Sequence, residues 1–383
     1  NILGQVLEMR GDVAAAADVY REAALGERRV GTEVGALVVL TNLVFALNEL
    51  GRRREAAAIC RQVVKEAESQ SGQPLPVSEG IALAWSLLSY EANQLEKARE
   101  QVVPALELAE QMNITDGILW GRQILARVHL ACGELSEARQ VAREGRRHAA
   151  RLDVYKGKVA WFSALEAQAS LQEGDGGAAS RWAEATSLSP SDTPLHWDEL
   201  VYFTYVRLLL SQNRLDDART LLTTMERSAQ QGQRHRKLIT IYLQQALVQQ
   251  ALGHTKEALD RIERALHLAA PEDYRRAFLD EGQTIVDLIP RVRTVASDFV
   301  DQVLADAGAG QAVPRSQALV EPLSERELEI LRLIAAGRSN PEIADILYLS
   351  LNTIKWHVKN LYGKLNAVSR VEAVARAQEL ELL

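Results

Sequence analysis

Between Ser350 and Arg370 the charged side chains are Lys355, Lys359, Lys364 and Arg370, with no acid among them. Interleaved with them are the amides of Asn352 and Asn360, the hydroxyl of Thr353 and the indole of Trp356. Ammonium, amide and ring groups on one surface suit the phosphates and base edges of duplex DNA. They share a surface only if the backbone is helical. On a wheel of about 100° per residue, Val358, Leu361 and Leu365 fall within about 40° of Ile354 and form an apolar stripe. Asn352, Trp356, Lys359 and Gly363 fall opposite that stripe, with Lys355 and Asn360 on its flanks. The candidate DNA-contacting residues are therefore Asn352, Thr353, Lys355, Trp356, Lys359, Asn360 and Lys364.

Four short helices are punctuated around this stretch. Ser324 and Glu327 read as a capping box before Leu328, Leu331 and Ile334, and Gly337 supplies a left-handed stop. Asn340-Pro341 reads as an N-cap followed by proline at the first helical position of a second helix that ends near Leu347. Ser350 caps the third helix, and Ser369 with Glu372 opens the fourth. A short helix, a tight turn and a helix with a basic outer face form a helix-turn-helix pattern. The pieces Leu323-Ser324-x-Arg326-Glu327, Gly337-x-Ser339-Asn340-x-Glu342-Ile343-Ala344, Thr353-Ile354-Lys355-x-His357-Val358, Lys364-Leu365 and Ser369-Arg370-x-Glu372-Ala373 occur in order. In these the stretch resembles the LuxR-type (GerE-like) DNA-binding domain. Asn360-Leu361-Tyr362 and Ala373-Val374-x-x-Ala377-Gln378 are closer still to the MalT-like branch of large ATP-dependent regulators. The resemblance implies self-association on DNA through the fourth helix, with Val371, Val374 and Ala375 as its small apolar face.

The chain has 383 residues and a net charge of −7. Residues 315–383 hold nine basic and nine acidic side chains, so residues 1–314 carry the whole excess of acid. DNA affinity must then come from a local basic face and not from a global positive field. Cys60 and Cys132 each sit inside a helical pattern and read as buried small hydrophobes of a reducing cytoplasm. The richest apolar run, Ala36 to Leu47, is broken by Thr41-Asn42 and is too short to span a membrane. Phosphate-loop, zinc-protease and nucleophile-elbow patterns do not occur, so neither catalysis nor a metal is expected.

Strand signals are nearly absent, and a repeat dominates. A turn residue followed five positions later by Ala recurs seven times: Gly11/Ala16, Gly51/Ala56, Asn93/Ala98, Gly133/Ala138, Gly174/Ala179, Asn213/Ala218 and Gly253/Ala258. Successive turns are 39 to 42 residues apart. The pattern resembles the longer-period tetratricopeptide (TPR) repeats of MalT-like regulators. It implies an all-α fold: a right-handed TPR-like superhelix of about seven helix pairs, linked to a four-helix LuxR-type helix-turn-helix domain. The expected divisions are a TPR-like sensor over 1–270, a helical cap over 271–306, a flexible linker over 307–321 and the DNA-binding domain over 322–383.

In the repeats it resembles, the concave positions correspond here to Trp120, Gln123 and Arg127, to Trp161, Ala164 and Gln168, and to Leu200, Phe203 and Arg207. Aromatic faces beside arginine and amide groups suit a small-molecule inducer or a protein effector, which makes Trp120, Gln123, Arg127, Trp161, Gln168, Phe203 and Arg207 the candidate ligand-binding set. Phe278-Leu279-Asp280-Glu281-Gly282, a phrase that also occurs in MalT-like regulators, reads as structural, because two adjacent carboxylates without partners make no metal site. The chain starts without Met and in mid-pattern, as a C-terminal part of a longer regulator would. The resemblance implies an upstream module that uses ATP, with no cofactor in these residues. Double-stranded promoter DNA and RNA polymerase are the expected partners of an activator. The alternative is a TPR peptide-binding scaffold whose C-terminal helices do not read DNA.

Overall fold

The computed structural model describes residues 1–31, 33–71, 79–151, 156–311, 325–336 and 338–347, and the helical positions Ile354, Val358, Leu361, Arg370, Val374 and Ala377. They form two compact units, Asn1–Ala307 and Gly308–Leu383. No strand occurs among the described residues.

The first unit is a right-handed TPR-like superhelix of seven helix pairs. The pairs are α1 (Ile2–Met9) with α2 (Val13–Arg29), α3 (Glu33–Glu49) with α4 (Arg53–Ser71), and α5 (Glu79–Glu91) with α6 (Leu95–Gln111). Next come α7 (Thr115–Ala131) with α8 (Leu135–Ala150), and α9 (Lys156–Gln172) with α10 (Gly176–Ala185). The last two are α11 (Glu199–Ser211) with α12 (Leu215–Gln231), and α13 (His235–Ala251) with α14 (Thr255–Ala269).

Each pair turns at one of the seven expected residues. The five glycines have φ between 74° and 84°, and Asn93 and Asn213 have φ of 55° and 57°. At the first turn Asp12 N–H donates to the Leu7 carbonyl (3.0 Å) and Gly11 N–H to that of Glu8 (2.8 Å), so the left-handed residue satisfies the last carbonyls of the helix. Asp12 then caps the next helix by accepting from Ala15 N–H at 3.2 Å. The alanine five residues on is at most 1% exposed in all seven pairs, which lets the two helices cross closely. Four residues further, Tyr20, Cys60, Val102, Ala142, Ala183, Leu222 and Ile262 are all buried. These positions share burial but not size. Cys132 departs from expectation: it is half-buried, just beyond the end of α7, where the helix gives way to Gly133.

A second set of left-handed turns joins one pair to the next at Gly31, Asn113, Ser187 and Gln233, and Asp273 joins the last pair to the cap. Their mixed residue types hide them from a reading by composition. The first helices of successive pairs (α3, α5, α7, α9, α11, α13) lie against one another and line the inner side of the superhelix.

Beyond α14 come a 3-10 turn (Ala270–Glu272), α15 (Arg275–Leu279), α16 (Gln283–Leu288), a 3-10 segment (Ile289–Val295) and α17 (Ser297–Gln311). Tyr274, Phe278, Ile285 and Ile289 are fully buried against the core of the last pairs. Helix α17 runs on through Ala307–Gln311, the first residues of the expected linker, while the first unit ends at Ala307. Glycine weakens a helix by about 1 kcal/mol per residue, and the two there do not stop this one. The rest of that linker lies outside the described residues.

In the second unit, α18 (Glu325–Ala335) and α19 (Asn340–Leu347) pack through Ile330, Leu331, Ile334, Ile343, Ala344 and Leu347. The second helix is capped one residue earlier than expected. Ser339, not Asn340, precedes it, and the Glu342 carboxylate accepts from both the backbone N–H and the hydroxyl of Ser339 at 2.7 Å. Ser339-x-x-Glu342 is a capping box that the more conspicuous Asn340-Pro341 masked.

Candidate nucleic-acid interface and inner-face site

Ile354, Val358 and Leu361 complete the core of the second unit and are at most 7% exposed. Three members of the apolar stripe expected from the wheel therefore face inward; Leu365 lies outside the described residues. So do the candidate DNA contacts Asn352, Thr353, Lys355, Trp356, Lys359, Asn360 and Lys364, and the caps at Ser324, Gly337, Ser350 and Ser369. Of the candidate pairing residues, Val374 is half-buried and packs against this core, while Val371 and Ala375 lie outside the described residues.

Two arginines brace the helix ends. Arg326 donates to the Leu347 carbonyl at the end of α19 (2.9 Å) and pairs with Glu329 (2.5 Å). Arg370 donates to the carbonyls of Ile334 (3.1 Å), in the last turn of α18, and of Arg338, between α18 and α19. A cation there satisfies carbonyls that lack a helical partner and complements the helix dipole. Arg370 is thus committed to the scaffold.

On the inner side of the first unit the structure brings two of the candidate ligand residues together. The rings of Trp120 (α7) and Trp161 (α9) lie 5.4 Å apart, and Phe45 (α3) stacks on Trp120 at 4.9 Å. Lys158 Nζ lies 5.5 Å from the Trp120 ring and 5.4 Å from that of Trp161, and bonds Asp116 at 2.9 Å. Trp161 is 8% exposed, and its indole N–H has no acceptor among the described residues.

The other candidates are placed differently. Gln123 is buried and Gln168 half-buried. Phe203 is part of the hydrophobic core. Arg127 lies over the Tyr90 ring (4.4 Å) and pairs with Glu91 at 3.3 Å. Arg207 pairs with Glu281 at 2.5 Å. Both guanidiniums are occupied by carboxylates of this chain.

These carboxylates belong to a buried charged cluster that the sequence reading missed. Glu91 also accepts from Arg236 at 2.9 Å, and Arg236 donates to Thr240 at 2.9 Å. Asp280 accepts from the Tyr90 hydroxyl at 2.7 Å and from Arg276 at 3.0 Å. Burial opposes ionisation of Glu91 and Asp280, yet their arginines outweigh it and hold both carboxyls below the usual range. At Glu281 burial outweighs Arg207 and pushes the carboxyl up. The only sequence signal was the Asp280-Glu281 phrase, and nothing in it named partners so far upstream.

No group of three or more His, Cys, Asp or Glu among the described residues could hold a metal ion, and no described helix is long and apolar enough to cross a membrane.

Residues 1–295 match the family described as the MalT-like TPR region. The chain belongs to that family. Residues 321–377 of this MalT-like chain match bacterial regulatory proteins of the luxR family. Relatives over most of it are named HTH-type transcriptional regulator MalT. The one from Vibrio campbellii is 26% identical over 82% of this chain and 37% of its own length. That from Vibrio cholerae is 24% identical over 99% of this chain and 45% of its own length. One from Yersinia pestis is 24% identical over 99% and 44%. The chain spans less than half the length of these relatives.

Proposed function

We propose that this MalT-like chain is the sensing and DNA-reading part of a bacterial transcription regulator. The observation that carries the reading is the inward burial of Ile354, Val358 and Leu361 on the core of α18 and α19. On the helical wheel of the sequence, Asn352, Trp356 and Lys359 fall opposite those three positions, with Lys355 and Asn360 on the flanks, which supports the reading. That face enters the major groove of promoter DNA, and two chains pair on it, because one such domain reads too few base pairs for useful affinity.

The superhelix takes an effector on its inner side at the Phe45–Trp120–Trp161 cluster, a reading supported by the half-buried rings of Phe45 and Trp120 and by a buried Trp161 indole N–H that has no acceptor among the described residues. Activation proceeds through contact with RNA polymerase in the cytoplasm. The chain itself is not an enzyme, and ATP belongs to a module outside these residues.

Titration of a fluorescent promoter duplex over a salt series tests the reading. Affinity should fall linearly with the logarithm of salt concentration and exceed that for unrelated duplex. Absence of any salt-dependent binding would favour the peptide scaffold.

A further inference from the structure

In a solenoid each repeat packs on its neighbours alone, so contacts between distant pairs are not needed to fold it. This superhelix makes many. Arg53, which opens α4, donates to the Glu272 carbonyl at 2.5 Å and to Asp273 at 3.2 Å. The next backbone N–H, of Arg54, donates to the Glu272 carboxylate at 2.7 Å. Tyr274 donates its hydroxyl to Asn48 at 3.1 Å. Asp280 accepts from Tyr90, and Arg276 donates to the Asn93 side chain at 3.1 Å. The start of α13 also comes close to the second pair: a Cβ on Gly51 would lie 2.8 Å from that of His235.

One segment, Glu272–Glu281, makes most of these contacts, and it follows the last repeat. We propose that it is a clasp that ties the end of the superhelix to its second and third pairs and holds one superhelical turn closed. Its carboxylates occupy the inner side at Arg207 and, through Tyr90, beside Arg127. The clasp is removable in principle, because the repeats it bridges keep their own neighbours. Opening it widens the turn without unfolding a pair.

The test uses the full chain with Asp280→Asn, which keeps shape and loses charge, and Arg53→Ala, which acts at the other end of the segment. Hydrogen exchange by mass spectrometry, small-angle scattering and far-ultraviolet circular dichroism are read together. Exchange within 48–53, 88–94 and 274–281 should rise about a hundred-fold in Asp280→Asn, as loss of a buried charged partner does. In Arg53→Ala the rise should be smaller and confined to 48–53 and 272–276. The radius of gyration should grow while helicity and exchange in α7–α10 stay as in the parent. Exchange that rises uniformly along all pairs, or a chain that unfolds as a whole on either substitution, overturns the proposal, since the segment is then ordinary core. So does a folded Asp280→Asn chain with parent dimensions and parent exchange.

Discussion

The hydroxyl of Tyr90 donates to the carboxylate of Asp280 at 2.7 Å, although 190 residues separate them. Arg127 and Arg276 lie 4.4 and 5.7 Å from the same ring. The pair joins the third helix pair to the segment after the seventh. Tyr90→Phe leaves one lone pair of Asp280 without its donor while Arg276 stays. Unfolding in urea should show a loss of about 1–3 kcal/mol, as expected for a buried group left short of a partner. An unchanged midpoint would mean that Arg276 alone satisfies Asp280.

Arg370 donates to two carbonyls, one in the last turn of α18 and one between α18 and α19, and is absent from the proposed DNA surface. Arg370→Ala should lower the melting temperature of the second unit, at a cost of about 1–3 kcal/mol. At temperatures where the variant is still folded, its salt dependence of DNA binding should equal the parent's. A shallower salt slope would place Arg370 on phosphate instead.

For the recognition surface the expectation is the reverse. Lys355→Ala and Lys359→Ala should leave the stability within about 0.5 kcal/mol of the parent, as surface substitutions do. Each should weaken promoter binding by about 1–3 kcal/mol if it reads a base edge. If it meets phosphate only, the salt slope should fall by about one. Parent-like binding by both variants would remove them from the interface.

Trp161→Phe keeps a ring beside Trp120 but removes the indole N–H that lacks an acceptor. In the full-length regulator it should blunt the response to inducer while promoter binding stays at the parent level. Arg207→Met should instead act through stability, because its guanidinium is paired with buried Glu281. A lost inducer response in a stably folded Arg207→Met variant would assign Arg207 to the effector after all.

His196 supplies a pH test. Burial, and then Arg234, push its imidazole down to about 4. In the unfolded chain it takes up a proton near pH 6.5, so between about 4 and about 6.5 the unfolded state binds more protons. Stability should therefore fall as pH drops through that window, by about 2 kcal/mol from this group once its partial exposure to solvent is discounted, and be flat in its contribution above it. His148, lowered by burial and by Arg122 and Arg151, adds to the same slope. Thermal melts of His196→Asn at pH 7 and pH 5 should differ less than those of the parent.

Local chemistry repeated along the chain determined much of this protein. A left-handed residue followed five positions on by alanine is a nearest-neighbour instruction: it ends one helix, starts the next and lets the two cross closely. All seven such turns appear where the spacing puts them. The inward stripe of Ile354, Val358 and Leu361 was legible for the same reason, since helical periodicity relates residues a few positions apart.

What only the tertiary structure decided lies between elements far apart in sequence. Arg127 and Arg207 fall at repeat positions that read as a ligand face, yet Glu91 and Glu281 occupy them. Asp280 and Glu281 read as two carboxylates without partners, yet Tyr90, Arg276, Arg207 and Gln244 converge on them. Periodicity states which face of a helix turns inward. Which side chain meets another across a superhelical turn depends on the small rotation added at every repeat, and that accumulated angle is written in no single residue.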